Sequence, residues 1–319
     1  MNEERKGIMS GQHPAALFVF SSLGVIVIGF VFQILGMLLA SLFFDVSIFD
    51  LSDLTSNARN EVVGAMKLLQ IVGALGTFVF SSFLLSFLYT GKWTGFFPFG
   101  KKLNLPALLL LVIIMITALP FVNMLTELNM NFKLPFDKIE NYLRNLEDQT
   151  ESLMMVMIQA DTIGALMVNL FMIALIPAIG EELVFRGLIQ KHLSDLFRNP
   201  HIGVLLASVI FSLAHFQVYS FLPRFFLGMI LGYTFVYGKS IWYPMVAHLV
   251  NNGFGVLFYY FYNQGKANES LEEIGTPSML PMAALASILL VAGMMFVWVK
   301  MMKANQIHPG VQVEKDSPD

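Results

Sequence analysis

The sequence predicts an all-α polytopic membrane protein of about eight transmembrane helices enclosing a buried polar cavity. Three observations predict it. Hydrophobic residues make up 56% of the 319-residue chain and charged residues only 13%, about half the charged share of an ordinary globular protein, so much of the surface must face lipid. Apolar stretches of span length recur along the chain, a bilayer core about 30 Å thick needing roughly 20 apolar residues in a helix. Ionisable groups within those stretches are few, and the acidic ones gather in one place. Composition also excludes function classes. A net charge of -3 gives no basic field for nucleic acid. With no cysteine in the chain, disulfides, thiolate metal sites and cysteine nucleophiles are ruled out.

The first span, Ala15–Phe44, is too long for the apolar region of a signal peptide and shows no small-residue cleavage site, so it reads as a retained helix. Val63–Leu88 and Leu105–Leu125 follow. The segment Glu127–Asp161 is a long loop. Its Ile139, Tyr142, Leu143, Leu146 and Leu153 suit either an amphipathic helix lying on the membrane or a plain connector. The remaining spans are Ile163–Gln190, Ile202–Val218, Leu222–Tyr237, Ile241–Tyr262 and Met279–Val299. The sixth is short, carries Arg224 near one end, and has Gly228 and Gly232 four apart, a spacing that lets a neighbouring helix approach closely. From Gln306 onward, prolines, a glycine and several charges read as a disordered tail. The chain thus divides into N-terminal helices with the external loop (1–162), a core (163–262), a last transmembrane helix (263–305) and the tail (306–319).

Eight spans put both termini on one side, with Arg5, Lys6, Lys92, Lys101, Lys102, Lys191, Arg198, Lys239, Lys300, Lys303 and Lys315. The opposite side has Arg59, Lys133, Lys138, Arg144, Arg224 and Lys266. Positive-inside reasoning therefore places both termini in the cytoplasm. Trp93, Trp242 and Trp298 fall at that same border, as interfacial anchors do.

Ionisable groups inside a span are costly and are functional candidates by default. Among the acidic residues, Glu181 and Glu182 lie well inside one, in Pro177-Ala178-Ile179-Gly180-Glu181-Glu182-Leu183-Val184-Phe185-Arg186. His215 and His248 also fall in spans, whereas His13, His192, His201 and His308 read as surface residues. Residues four apart share a helix face, so Glu182 reaches Arg186 as a structural ion pair while Glu181 points elsewhere with no partner on its own helix. His248 and Asn252 share a face, and Asn251 looks away from it. Pro177 and Gly180 loosen the helix ahead of the glutamates. At 1.5 Å per residue from the cytoplasmic border, Glu181, His248 and Asn252 lie roughly 14, 11 and 17 Å deep and His215 roughly 20 Å. Four polar groups from three helices at similar depth describe one cavity.

The ordered motifs Glu181-Glu182-x-x-x-Arg186, Phe211-x-x-x-His215 and His248-x-x-x-Asn252 resemble those of the CPBP group. These are the CAAX prenyl endopeptidases of the Ras-converting-enzyme type with the bacteriocin-processing and abortive-infection proteins. The resemblance covers roughly 163–262. It implies an intramembrane endopeptidase with a cavity opening toward the cytoplasm. In it Glu181, supported by Glu182, works with His215 to activate a water, and His248 and Asn252 bind the developing oxyanion, with Phe211 as part of the second motif. A carboxylate shielded from bulk water suits a general base, and two donors on one helix face suit a tetrahedral intermediate. The cofactor stays open between none and zinc. Glu181, His215 and His248 could form a two-histidine, one-carboxylate zinc site with water as fourth ligand, although no His-Glu-x-x-His helix is present.

The expected partners are a peptide or the membrane-proximal tail of a protein, of CAAX or bacteriocin-leader type, together with membrane lipids and without nucleic acid. The expected location is a bacterial cytoplasmic membrane. Two other classes fit a buried Glu–His cluster: a proton-coupled carrier, which should show inverted repeats that the chain lacks, and a catalytically idle immunity or scaffold protein.

Overall fold

The structure, a computed structural model, describes residues 7–47, 60–100, 103–266, 275–276 and 281–307. Arg5, Lys6, Arg59, Lys101, Lys102, His308 and Lys315 lie outside the described residues, as does the tail beyond Ile307. Nine helices make up the described fold: α1 (Pro14–Phe44), α2 (Asn60–Thr90), α3 (Leu105–Met130), α4 (Asp137–Ile158), α5 (Ile163–Phe197), α6 (Pro200–Leu213), α7 (Phe221–Gly238), α8 (Trp242–Asn263) and α9 (Pro281–Ile307). No strand occurs among the described residues.

Six of these helices are long and apolar enough to cross a membrane: α1, α2, α3, α5, α7 with its leading turn, and α9. Of the other two expected spans, α6 has 14 residues, about 21 Å of helix, and α8 has 22 but carries His248, Asn251 and Asn252. The fifth expected span reached Val218, yet its helix ends at Leu213. The last helix starts at Pro281 and runs to Ile307, so Gln306, expected in the tail, is helical.

The apolar helices bury a seam and leave the rest to lipid. On α1, Ser21, Val25, Gly29, Gly36 and Ala40 are buried while Val27, Phe30 and Leu38 are exposed. The seam is narrow because α2 comes very close. A Cβ on Gly29 would meet Thr77 at 2.7 Å, and one on Gly36 would meet Leu69 at 2.9 Å. Small residues do here what a soluble core does with large ones.

Of the two readings of the long loop, an amphipathic helix or a plain connector, the helix is present as α4. It carries Asp137 and Glu140 in its first turn, where acids suit the helix dipole. Arg144 bonds Glu140 at 2.8 Å and the carbonyls of Met130 and Phe132, closing the hinge from α3. Because chain direction alternates, α4 and the turn 214–220 lie at one end of the bundle. The start of α1, the end of α9 and the 91–100, 198–199 and 239–241 connections lie at the other. At that second end Trp93 and Trp242 are part-exposed, as anchors should be. Trp298 is a correction. It is fully buried, donates Nε1 to the carbonyl of Ala107 at 3.0 Å, and packs edge-on against Tyr243.

Candidate active site

The site is built on α5, a rod interrupted by π-helical turns at Leu170–Leu175 and Leu183–Gln190, a feature frequent at functional sites. Glu182 and Arg186 are buried, and Arg186 Nη1 donates to Glu182 Oε1 at 2.8 Å. A charge this deep is costly unless paired and bonded. Arg186 meets that demand with Nη2 on the carbonyl of Gly228 at 3.2 Å and its guanidinium 4.7 Å from the centre of the Phe211 ring. One turn on, Gln190 Nε2 donates to the carbonyl of Gly232 at 3.1 Å. The expected role of Gly228 and Gly232 is met, and with a second use. A Cβ on Gly228 would lie 3.0 Å from Ser208 and one on Gly232 2.8 Å from Val204, so their bareness lets α6 close on α7 while their carbonyls bind α5. Gly180 also serves contact, since a Cβ there would meet Phe78 at 2.6 Å.

From α8, His248 is buried and places Nδ1 2.7 Å from Glu182 Oε1, the oxygen that also receives Arg186. Its Nε2 then faces Glu181 Oε2 at 4.0 Å. Glu181 keeps 13% of its side chain exposed, whereas Glu182 has none. One turn further along α8, Asn252 Nδ2 donates to the carbonyl of Ile173 at 3.0 Å. Asn251 was expected to look away; instead its Nδ2 donates to Asn252 Oδ1 at 3.0 Å.

His215 is placed differently from expectation. It sits in the turn after α6, with Nδ1 2.9 Å from the carbonyl of Phe211. The Phe211 ring is the common neighbour, 5.2 Å from His215 and 6.0 Å from His248, and edge-on to Phe185 at 5.1 Å. The residue after the histidine, Phe216, has φ of 55° and is 85% exposed, a backbone conformation costly for a bulky side chain and typical of functional loops.

That loop is clamped from outside by a group the sequence reading passed over. Glu147 of α4 is buried and accepts from Ser220 Oγ at 2.5 Å, Gln217 Nε2 at 3.2 Å and the backbone N–H of Tyr219 at 3.3 Å. Gln217 passes the contact on, its Oε1 accepting from Arg224 Nη2. The signal was available: Glu147 stands four residues after Leu143, on the apolar face of its own helix. His192 is a second correction. Expected at the surface, it is buried between Tyr89 and Phe96, with Nε2 3.1 Å from Ser21 Oγ. His13 caps α1 and His201 meets the hydroxyl of Tyr233, both exposed as expected.

The three candidate zinc ligands are not gathered into one set. Among the described residues no group of three or more His, Asp and Glu side chains is placed to hold a metal ion. His248 and His215 each give Nδ1 to a neighbour, Glu182 and the carbonyl of Phe211, and keep Nε2 as the remaining ring nitrogen.

Residues 163–254 match the family described as type II CAAX prenyl endopeptidase, Rce1-like, which bears out the resemblance carried by the three motifs. Two curated relatives match part of the chain. The membrane-embedded CAAX protease MroQ of Staphylococcus aureus (strain USA300) is 32% identical over 95 residues, 28% of this chain and 38% of that protein. The putative membrane peptidase YdiL of Bacillus subtilis (strain 168) is 28% identical over 119 residues, 37% of this chain and 47% of that protein. The chain thus spans less than half the length of the curated relatives it matches. No solved structure matches.

Proposed function

We propose that this integral membrane protein, whose residues 163–254 match the Rce1-like CAAX endopeptidase family, hydrolyses a peptide bond within the membrane, on a peptide or the membrane-proximal tail of a protein. The observation that carries the reading is the line Arg186–Glu182–His248–Glu181. Arg186 holds Glu182, Glu182 fixes the His248 ring through Nδ1, and Nε2 is left facing the part-exposed carboxylate of Glu181. An ion pair used to orient an imidazole leaves the second glutamate for chemistry.

The 4.0 Å between His248 Nε2 and Glu181 Oε2 suits a water bonded to both, which at about 2.8 Å from each atom would subtend roughly 90° at its oxygen. In the proposed reaction Glu181 takes a proton from that water as its oxygen attacks the scissile carbonyl. The carbonyl oxygen becomes an oxyanion bound from α8 by the second N–H of Asn252 and by His248 Nε2–H, the imidazole acting in its doubly protonated form because its Nδ1–H is already given to Glu182. The C–N bond then breaks as a proton passes to the leaving amine, with His215, beside the same Phe211 ring, as relay. The products are a carboxylate and an amine. The setting is a cytoplasmic membrane with both termini inside. Glu181→Gln, which keeps the size and removes the base, should abolish cleavage in a folded, inserted protein. Undiminished cleavage would overturn the reading.

A further inference from the structure

Arg224 has no part in the reaction above, yet its surroundings are those of a binding group. It stands in the first turn of α7, at the α4 end of the bundle. Glu181 lies near the middle of the 35-residue α5. Arg224 lies within electrostatic reach of Glu181 and Glu147. Its Nη2 donates to a neutral amide, Gln217 Oε1, and its Nη1 is buried with no acceptor among the described residues. Every other buried side-chain atom in that condition is uncharged or belongs to an acid. The acids nearby do not fill the gap: Glu147 takes three donors from 217–220, Glu182 takes Arg186 and His248 on Oε1, and neither they nor Glu181 hydrogen-bond Arg224 Nη1.

A guanidinium in a low-dielectric site beside a neutral partner gains strongly from an anion. Its planar fork matches a carboxylate through two parallel hydrogen bonds. We propose that Arg224 is a substrate-binding residue whose free Nη1 edge receives a carboxylate of the peptide, on the α4 side of the reacting centre. The proposal rests on the peptidase reading for its substrate class. Gln217 is the positioning residue, held in turn by Glu147.

The test uses the full chain in detergent and a library of internally quenched octapeptides made as C-terminal acids and as C-terminal amides. A third set combines the amide with one internal glutamate. The acids should be cleaved with kcat/KM at least about tenfold above the amides, through KM. In Arg224→Gln the ratio should fall to about one, and Arg224→Lys, which keeps the charge without the fork, should retain part of it. Preference for the glutamate-bearing amides instead would support the same subsite with the carboxylate on a side chain. Equal cleavage of all sets by the wild type would overturn the proposal, as would an Arg224→Gln protein that loses kcat on every set while keeping the preference. Thermal stabilisation by the same peptides, measured in Glu181→Gln so that none is consumed, separates this from the hydrolytic reading. If no peptide is cleaved, hydrolysis fails. The subsite still stands if acids stabilise more than amides only when Arg224 is present, and falls if they do not.

Discussion

Asn252 donates Nδ2 to the carbonyl of Ile173 at 3.0 Å, and Ile173 stands four residues before Pro177. In an α-helix that carbonyl would take the N–H of residue 177, which proline lacks. Asn252 supplies a donor to that carbonyl from another helix, so the amide that faces the site also ties α8 to the π-helical turn ahead of Pro177.

Replacing Asn252 by alanine should therefore act twice. Removing an oxyanion donor should lower kcat by about 100-fold with KM little changed. Leaving the Ile173 carbonyl without its partner should cost about 1–3 kcal/mol of stability. Steady-state kinetics and thermal unfolding of the same preparation check both. A rise in KM alone would assign Asn252 to substrate positioning.

The two adjacent glutamates should separate cleanly. Glu181→Gln is expected to keep the thermal midpoint and lose turnover. Glu182→Gln leaves Arg186 buried against a neutral group and slackens the His248 ring, so a loss of about 1–3 kcal/mol should accompany a partial loss of activity per folded molecule. A stable, inactive Glu182→Gln beside an active Glu181→Gln would invert the two roles.

Orientation is open to a direct test at Gln149 on α4. The charge pattern puts α4 and the His215 turn outside, whereas the family resemblance implies a cytoplasmic opening; in this architecture the His215 end of the site lies on the α4 side. A reporter fused at Gln149 should read external. A cytoplasmic signal would turn the whole bundle over and put the termini outside.

Stringent chelation of the purified protein should leave peptide cleavage within about twofold of its starting rate, since Glu181, His215 and His248 are not gathered as a ligand set. Zinc bound one to one, whose removal abolishes turnover and whose affinity drops in His215→Ala, would reverse that expectation.

What the sequence made legible was local. The pairing of Glu182 with Arg186 follows from a four-residue spacing, and the α4 helix from its apolar face. The bond from Glu182 to His248 crosses helices, which no periodicity encodes. The end of α6 was hidden because Leu213-Ala214-His215-Phe216-Gln217-Val218 contains no glycine or proline; the turn is imposed by Glu147, by Ser212 Oγ on the carbonyl of Phe221 at 2.7 Å, and by the unusual backbone of Phe216. Trp298 and His192 were misplaced for one reason. Proximity to a predicted border says nothing about which face of a helix meets protein.

The brevity of α6 reaches beyond the protein itself. About 21 Å of helix set in a hydrocarbon layer about 30 Å thick leaves a shortfall that either the acyl chains or the polypeptide must absorb. The exposed Phe216 ring and the polar turn behind it stand where that shortfall falls. A bilayer dimpled at this spot would bring its surface down toward His215, so that lipid chain length becomes a determinant of how readily a tail threads from the interface to the reacting centre.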